Sequence, residues 1–119
     1  VDLTHYLSGE QLIAKRDQIK RIFFYRVCGT GMGAAACLLK EKGLHIEGGD
    51  TQFYPPMSDY LKSTGIPCHN LKDFDVKRLS EFDLIVVGNV VPRKSEDAAL
   101  IEKCGVKFCS FPAALGAFV

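Results

Sequence analysis

The chain has 119 residues, of which 47% are hydrophobic and 24% charged, with a formal net charge of +1; this suffices for one domain with its own core and removes the electrostatic basis for a nucleic-acid or anionic membrane partner. No apolar run reaches the roughly 18 residues of a membrane span, and the polar start VDLTHYLSGEQLIAKRDQ is unlike a signal peptide. Five cysteines (Cys28, Cys37, Cys68, Cys104 and Cys109) without a CxxC pair or a Cys/His ligand spacing exclude a zinc site and a disulfide framework, so they read as reduced thiols of a cytoplasmic protein.

In chain order, residues 1–20 form an N-terminal extension, with a short helix from Ser8 to Ile19 capped by Ser8 and loosely patterned on Leu12, Ile13 and Ile19. Residues 21–119 alternate strand and helix. Arg21 to Tyr25 (RIFFY) is a continuous apolar run of strand length, as expected of a strand buried on both faces. Met32, Ala35, Ala36 and Leu39 then recur with helical spacing, and Gly43 ends that helix. Leu44 to Glu47 alternates as a second strand running into Gly48-Gly49-Asp50. Pro55-Pro56 opens a helix with Met57, Tyr60 and Leu61 on one face and Gly65 as terminator. Ile66 to His69 is a third strand, placed near the sheet edge by Pro67.

Asp83 to Gly88 is the fourth strand. Ser95 caps a further helix, with Glu96 and Asp97 in its first turn and Gly105 beyond its end. Val106 to Cys109 is the fifth strand. This alternation predicts a Rossmann-like three-layer α/β domain with a five-stranded parallel sheet in the order 3-2-1-4-5. The chain opens on Val and ends at GAFV, where a helical pattern begins, so it is expected to be part of something longer.

Ligands of such a sheet sit outside the carboxyl ends of its strands. There the stretch VCGTGMGAAA follows the first strand. Gly29-Thr30-Gly31-Met32-Gly33-Ala34 fits GxGxxG/A: Gly29 for the tight turn, Gly31 for close approach of backbone to phosphate, and Ala34 for close packing of helix on sheet. The helix N-terminus offers N–H groups and a positive dipole to a diphosphate. Asp50, at the end of the second strand, is placed to accept from ribose hydroxyls. A diphosphate beside a ribose describes a dinucleotide such as NAD(P) and a sugar nucleotide equally well. No GxxxxGK[ST] occurs, so no P-loop ATP site lies in this chain. Cys28, at a helix N-terminus but without a neighbouring base, reads as a packing residue. His5, His45 and His69 are scattered, with no partner carboxylate in the sequence pattern, and read as structural or exposed.

With these residues laid out, the chain from about Ile22 onward resembles the N-terminal domain of the Mur ligase family. Four pieces carry the resemblance: Cys28-Gly29-Thr30 with Met32-Gly33, then Gly48-Gly49-Asp50, then Tyr54-Pro55-Pro56-Met57-Ser58, and finally Asp83 to Asn89 with Arg93. The YPPMS piece is the specific one, resembling the branch that attaches a tripeptide rather than the branch that adds L-alanine. Two positions depart from the pattern. Arg26 stands where the family has the first glycine of its turn, where its side chain either crowds the turn or reaches a phosphate, and Lys94-Ser95-Glu96 replaces Gly-Asn-Pro. The resemblance implies that UDP-N-acetylmuramate is the partner. It assigns Gly29, Thr30, Gly31, Met32 and Gly33 to the diphosphate, and Asp50, Asn89 and Arg93 to the ribose and uracil side. It also implies that ATP and Mg2+ belong to a central domain and the incoming amine to a C-terminal domain, both absent here, so this chain has no cofactor and no catalytic residue of its own.

Overall fold

The computed structural model describes residues 7–27, 30–51, 53, 55, 57–87 and 106–118. Five parallel strands form one sheet: β1 (Arg21–Tyr25), β2 (His45–Asp50), β3 (Cys68–Asn70), β4 (Leu84–Val87) and β5 (Phe108–Ser110), in the order β3-β2-β1-β4-β5. The expected three-layer fold and strand order are both observed. The strand read as an apolar run lies at the centre, where both neighbours take its hydrogen bonds and both faces are covered. Ile22 and Phe24 enter one core cluster and Phe23 and Tyr25 the other.

The first face is closed by helices. In α1 (Gly9–Lys15) the Ser8 hydroxyl accepts from the Gln11 amide at 3.4 Å while the Ser8 amide donates to the Gln11 side chain at 2.9 Å, a reciprocal cap. Leu12 is buried but Ile13 is half exposed, so only one of the two adjacent apolar residues belongs to the buried stripe. The helix continues as a 3-10 turn, Arg16–Gln18. The helix α2 (Thr30–Glu41) buries Met32, Ala35, Ala36, Cys37 and Leu39, and turns out at Gly43, which has a φ of +94°. Helices α3 (Met57–Ser63) and α4 (Phe111–Phe118) add Leu61, Ala114 and Ala117 to the same cluster. Tyr60, expected on the inner face of α3 with Leu61, is instead half exposed. Adjacent positions on a helix point about 100° apart, and α3 turns Leu61 rather than Tyr60 to the core.

The opposite face is covered, among the described residues, by the chain between β3 and β4. After β3 the chain crosses it as a 3-10 segment, Val76–Glu81. Leu79 and Phe82 are buried there, and Phe23 stacks with Phe74 and meets Phe82 edge-on at ring separations of 5.2 and 5.3 Å. The guanidinium of Arg21 lies over Phe82, and that of Arg78 over Phe74.

Two boundaries shift from expectation. Gly48 and Gly49 are the middle of β2 rather than its exit, and β3 begins at Cys68, with Pro67 just outside it as the acceptor for the Gly48 amide. The edge position of β3 is as expected. The helix expected after β4, from Ser95 to Gly105, lies outside the described residues. Cys37, Cys68 and Cys109 are free thiols, and burial pushes the Cys109 thiol up to about 12. Among the described residues no helix is long and apolar enough to cross a membrane.

Candidate functional site

The carboxyl ends of β1 and β2 form one corner with the start of α2. Of the glycine turn, Cys28 and Gly29 lie outside the described residues, as do Asn89, Arg93, Tyr54 and Pro56. The turn leads directly into α2, whose first residue is Thr30. The first amides of a helix have no partner within it, which leaves those of Thr30, Gly31 and Met32 directed out of the helix start. Gly31 is exposed there and Gly33 is buried. The Met32 side chain is turned into the core at 3% exposure, so what it presents at the helix start is main chain. Ala34, expected to bring the helix close to the sheet, faces solvent, and the small buried residues are Gly33, Ala35 and Ala36. The helical phase explains this: the contact face is set by Met32 and Leu39, and Ala34 falls off it.

The two glycines of β2 bring the strands' exits together. A Cβ on Gly48 would lie 2.7 Å from the side chain of Val27, and one on Gly49 would lie 2.7 Å from Leu71 and 3.0 Å from Phe23. The Gly49 carbonyl accepts from the amides of both Arg26 and Val27, at 2.8 and 3.1 Å. The chain leaving β1 is thereby folded over the end of β2. That bend requires Arg26 to adopt a φ of +69°, the one described non-glycine residue with a positive φ.

Arg26 then reaches across the corner. Its guanidinium donates to the Thr51 hydroxyl at 2.7 Å and pairs with the Asp50 carboxylate at 3.4 Å, with both charged side chains largely covered. The same Asp50 oxygen accepts from the Thr51 amide at 2.7 Å. Asp50 is therefore where the sequence reading put it, at the end of β2 beside the glycine turn, but as half of an ion pair. Thr51 was missed because its role depends on where a distant arginine points.

A second polar cluster was also missed. Glu47 is buried at 6% exposure, and its two carboxylate oxygens accept separately from the Nε2 atoms of His45 and His69, each at 2.7 Å. Arg78 stands 3.7 Å away. The expectation that His45 and His69 lack a carboxylate partner is thus corrected. His45 and Glu47 are two positions apart on one strand and so share a face, a signal present in the sequence. His69 joins them only through the pairing of β2 with β3. Burial by itself would raise the Glu47 carboxyl, but the hydrogen bonds from the two histidines outweigh it and hold the group below its ordinary value of 4.5.

Comparison with known proteins bears on the corner. Residues 21–119 match the family model described as "Mur ligase family, catalytic domain". The chain belongs to the Mur ligase family. It is 35% identical over 95 residues to the UDP-N-acetylmuramate--L-alanyl-gamma-D-glutamyl-meso-2,6-diaminoheptandioate ligase of Haemophilus influenzae, covering 79% of this chain and 20% of that protein. It is 31% identical over 96 residues to a UDP-N-acetylmuramate--L-alanine ligase of Lactobacillus delbrueckii, covering 81% and 21%. Among solved structures, the UDP-N-acetylmuramate:L-alanyl-gamma-D-glutamyl-meso-diaminopimelate ligase from Neisseria meningitides superposes with a TM-score of 0.66 at 36% identity, over 79% of this chain and 29% of that one. This Mur ligase chain thus spans about a fifth of the length of the curated relatives it matches.

Proposed function

We propose that this chain is the UDP-N-acetylmuramate-binding part of an ATP-dependent Mur-type ligase, one that joins the tripeptide L-alanyl-γ-D-glutamyl-meso-diaminopimelate to that nucleotide in cell-wall recycling. The observation that carries the reading is the glycine turn feeding α2 at the carboxyl edge of a 3-2-1-4-5 sheet, in a member of the Mur ligase family. Gly29, Thr30, Gly31, Met32 and Gly33 hold the diphosphate through main-chain N–H groups and the positive end of the helix. Asp50, Asn89 and Arg93 border the ribose and uracil. ATP and Mg2+ act in a separate central domain, so this chain binds and orients the nucleotide and performs no ligation alone.

Relatives of both kinds, tripeptide-adding and alanine-adding, are similar over the same region. The Tyr54-Pro55-Pro56-Met57-Ser58 stretch favours the tripeptide. Calorimetric titration with UDP-N-acetylmuramate and with NAD tests the nucleotide. Saturable binding of the first with none of the second is expected, and the reverse result overturns the reading in favour of an NAD(P)-binding domain.

A further inference from the structure

We infer that Arg26 is a ligand-contacting residue that makes the corner at the end of β1 and β2 selective for the phosphate groups of a nucleoside diphosphate. The inference rests on the proposal that the glycine turn takes such a ligand. Its starting point is a residue whose backbone and side chain serve different ends.

At a φ of +69° an arginine is strained by about 1 kcal/mol relative to glycine, which occupies that region freely. Position 26 is therefore one that glycine suits for folding, and the arginine brings nothing to the bend itself. Its side chain is nevertheless fixed. The guanidinium is held between the Thr51 hydroxyl at 2.7 Å and the Asp50 carboxylate at 3.4 Å, and Asp50 is in turn held by the Thr51 amide. Two consecutive residues at the end of β2 thus fasten a cation beside the chain segment that continues, through residue 27, into the glycine turn.

The pair changes what the corner can recognise. With glycine at 26, the end of β2 would present the Asp50 carboxylate, still held by the Thr51 amide, without a guanidinium beside it, an acceptor suited to the hydroxyls of a ribose and repelling phosphate. With Arg26 the carboxylate is neutralised, and the group added is a planar guanidinium with five N–H donors, whose geometry matches the oxygens of a phosphate. Asp50 then contributes by bracing the arginine rather than by gripping the sugar. A guanidinium braced in this way has lost much of its side-chain freedom before any ligand arrives, which lowers the entropic cost of the contact.

The test measures inorganic pyrophosphate, UDP-N-acetylmuramate and uridine binding to the parent chain and to Arg26→Gly and Arg26→Lys, with thermal melts alongside. Arg26→Gly removes the strain, so it should fold at least as well as the parent. Loss of charged hydrogen bonds is expected to weaken pyrophosphate and UDP-N-acetylmuramate roughly ten- to a hundredfold, leave uridine unchanged, and be partly restored in Arg26→Lys. If Arg26→Gly binds pyrophosphate as tightly as the parent, or more tightly, or if the parent fails to bind it, the inference is overturned. The two proposals fail separately. UDP-N-acetylmuramate bound equally by parent and Arg26→Gly removes the role of Arg26 and keeps the function, whereas Arg26-dependent pyrophosphate binding without any response to UDP-N-acetylmuramate does the opposite.

Discussion

Glu47 and Asp50 lie on the same strand, each carboxylate accepts hydrogen bonds, and each faces an arginine, yet they are built differently. Glu47 is surrounded on the face of the sheet that the 3-10 segment crosses: His45 precedes it on its own strand, His69 comes from the neighbouring strand and Arg78 from the 3-10 crossing. Those partners belong to three separate pieces of the fold, so the cluster ties the edge strand and the crossing to β2. Asp50 sits at the strand's end, where Arg26 from the exit of β1 and Thr51 from the exit of β2 both meet its carboxylate. The first carboxylate is a fastening. The second adjusts the charge of a corner where the topology places ligands.

The comparison is sharpened by variants that separate binding from stability. The largest effect is expected for Gly31→Val, which puts a branched side chain at the start of α2. UDP-N-acetylmuramate affinity should fall about a hundredfold or more from lost phosphate hydrogen bonds, while a thermal melt changes little because Gly31 is exposed. Unchanged affinity would mean that the glycines serve only the turn.

Next in size is Glu47→Ala, which strands the two histidines and Arg78. Since His45 and Arg78 are about half exposed, solvent replaces part of what is lost, and a loss of about 1–3 kcal/mol in denaturant-melt stability is expected. Nucleotide affinity measured on the folded fraction should not move. A drop in affinity matching that of Arg26→Gly would break the division between fastening and corner.

A smaller effect of the same cluster is its pH dependence. The Glu47 carboxyl is held below 4.5 in the fold, so its contribution is present above the unfolded value and is lost as pH falls through the lower folded value. Melts followed from pH 6 downward should show the parent losing stability more steeply than Glu47→Gln, which has no carboxylate to protonate. Parallel curves would deny the pairing. The smallest effect is expected for Thr51→Val, which keeps the side-chain shape and removes the acceptor for Arg26. A several-fold loss of pyrophosphate affinity, on the order of 1 kcal/mol, with an unchanged melt would place Thr51 with the corner.

The architecture was legible because its signals are local. Continuous apolar runs at Arg21–Tyr25 and Leu84–Val87 mark doubly buried strands, and Pro67 marks an edge. The glycine-rich stretch stood out for the same reason, since its residues are contiguous and lie between an apolar run and a helical pattern. What escaped depends on contacts between distant residues. Arg26 was visible as an anomaly, but nothing in its neighbourhood along the chain announces Thr51 as its partner. Glu47 gathers His69 and Arg78 only after β3 pairs with β2 and the crossing is laid down. Gly48 and Gly49 read as the exit of the second strand because they break its alternation, whereas they lie within it and make room for Val27, Leu71 and Phe23. Tyr60 and Ala34 misled for a simpler reason: apolar or small character says that a residue tolerates burial, not that a neighbour is there to bury it.

One further consequence comes from α1, whose Leu12 enters the main core beside Ala114 and Ala117 of α4. The Leu7 amide donates to the Phe108 carbonyl at 2.8 Å, and the Arg16 guanidinium reaches the Ala117 carbonyl, a contact spanning 101 residues of sequence. Closing a loop of that length costs about 4 kcal/mol in chain entropy if nothing in between is yet ordered, and little once the sheet exists. Although α1 precedes the whole sheet in sequence, it is thus among the last elements to dock. Until residues 106–118 are in place, Leu12 has no finished site to enter, so the opening segment acts as a clasp that reports completion of the sheet.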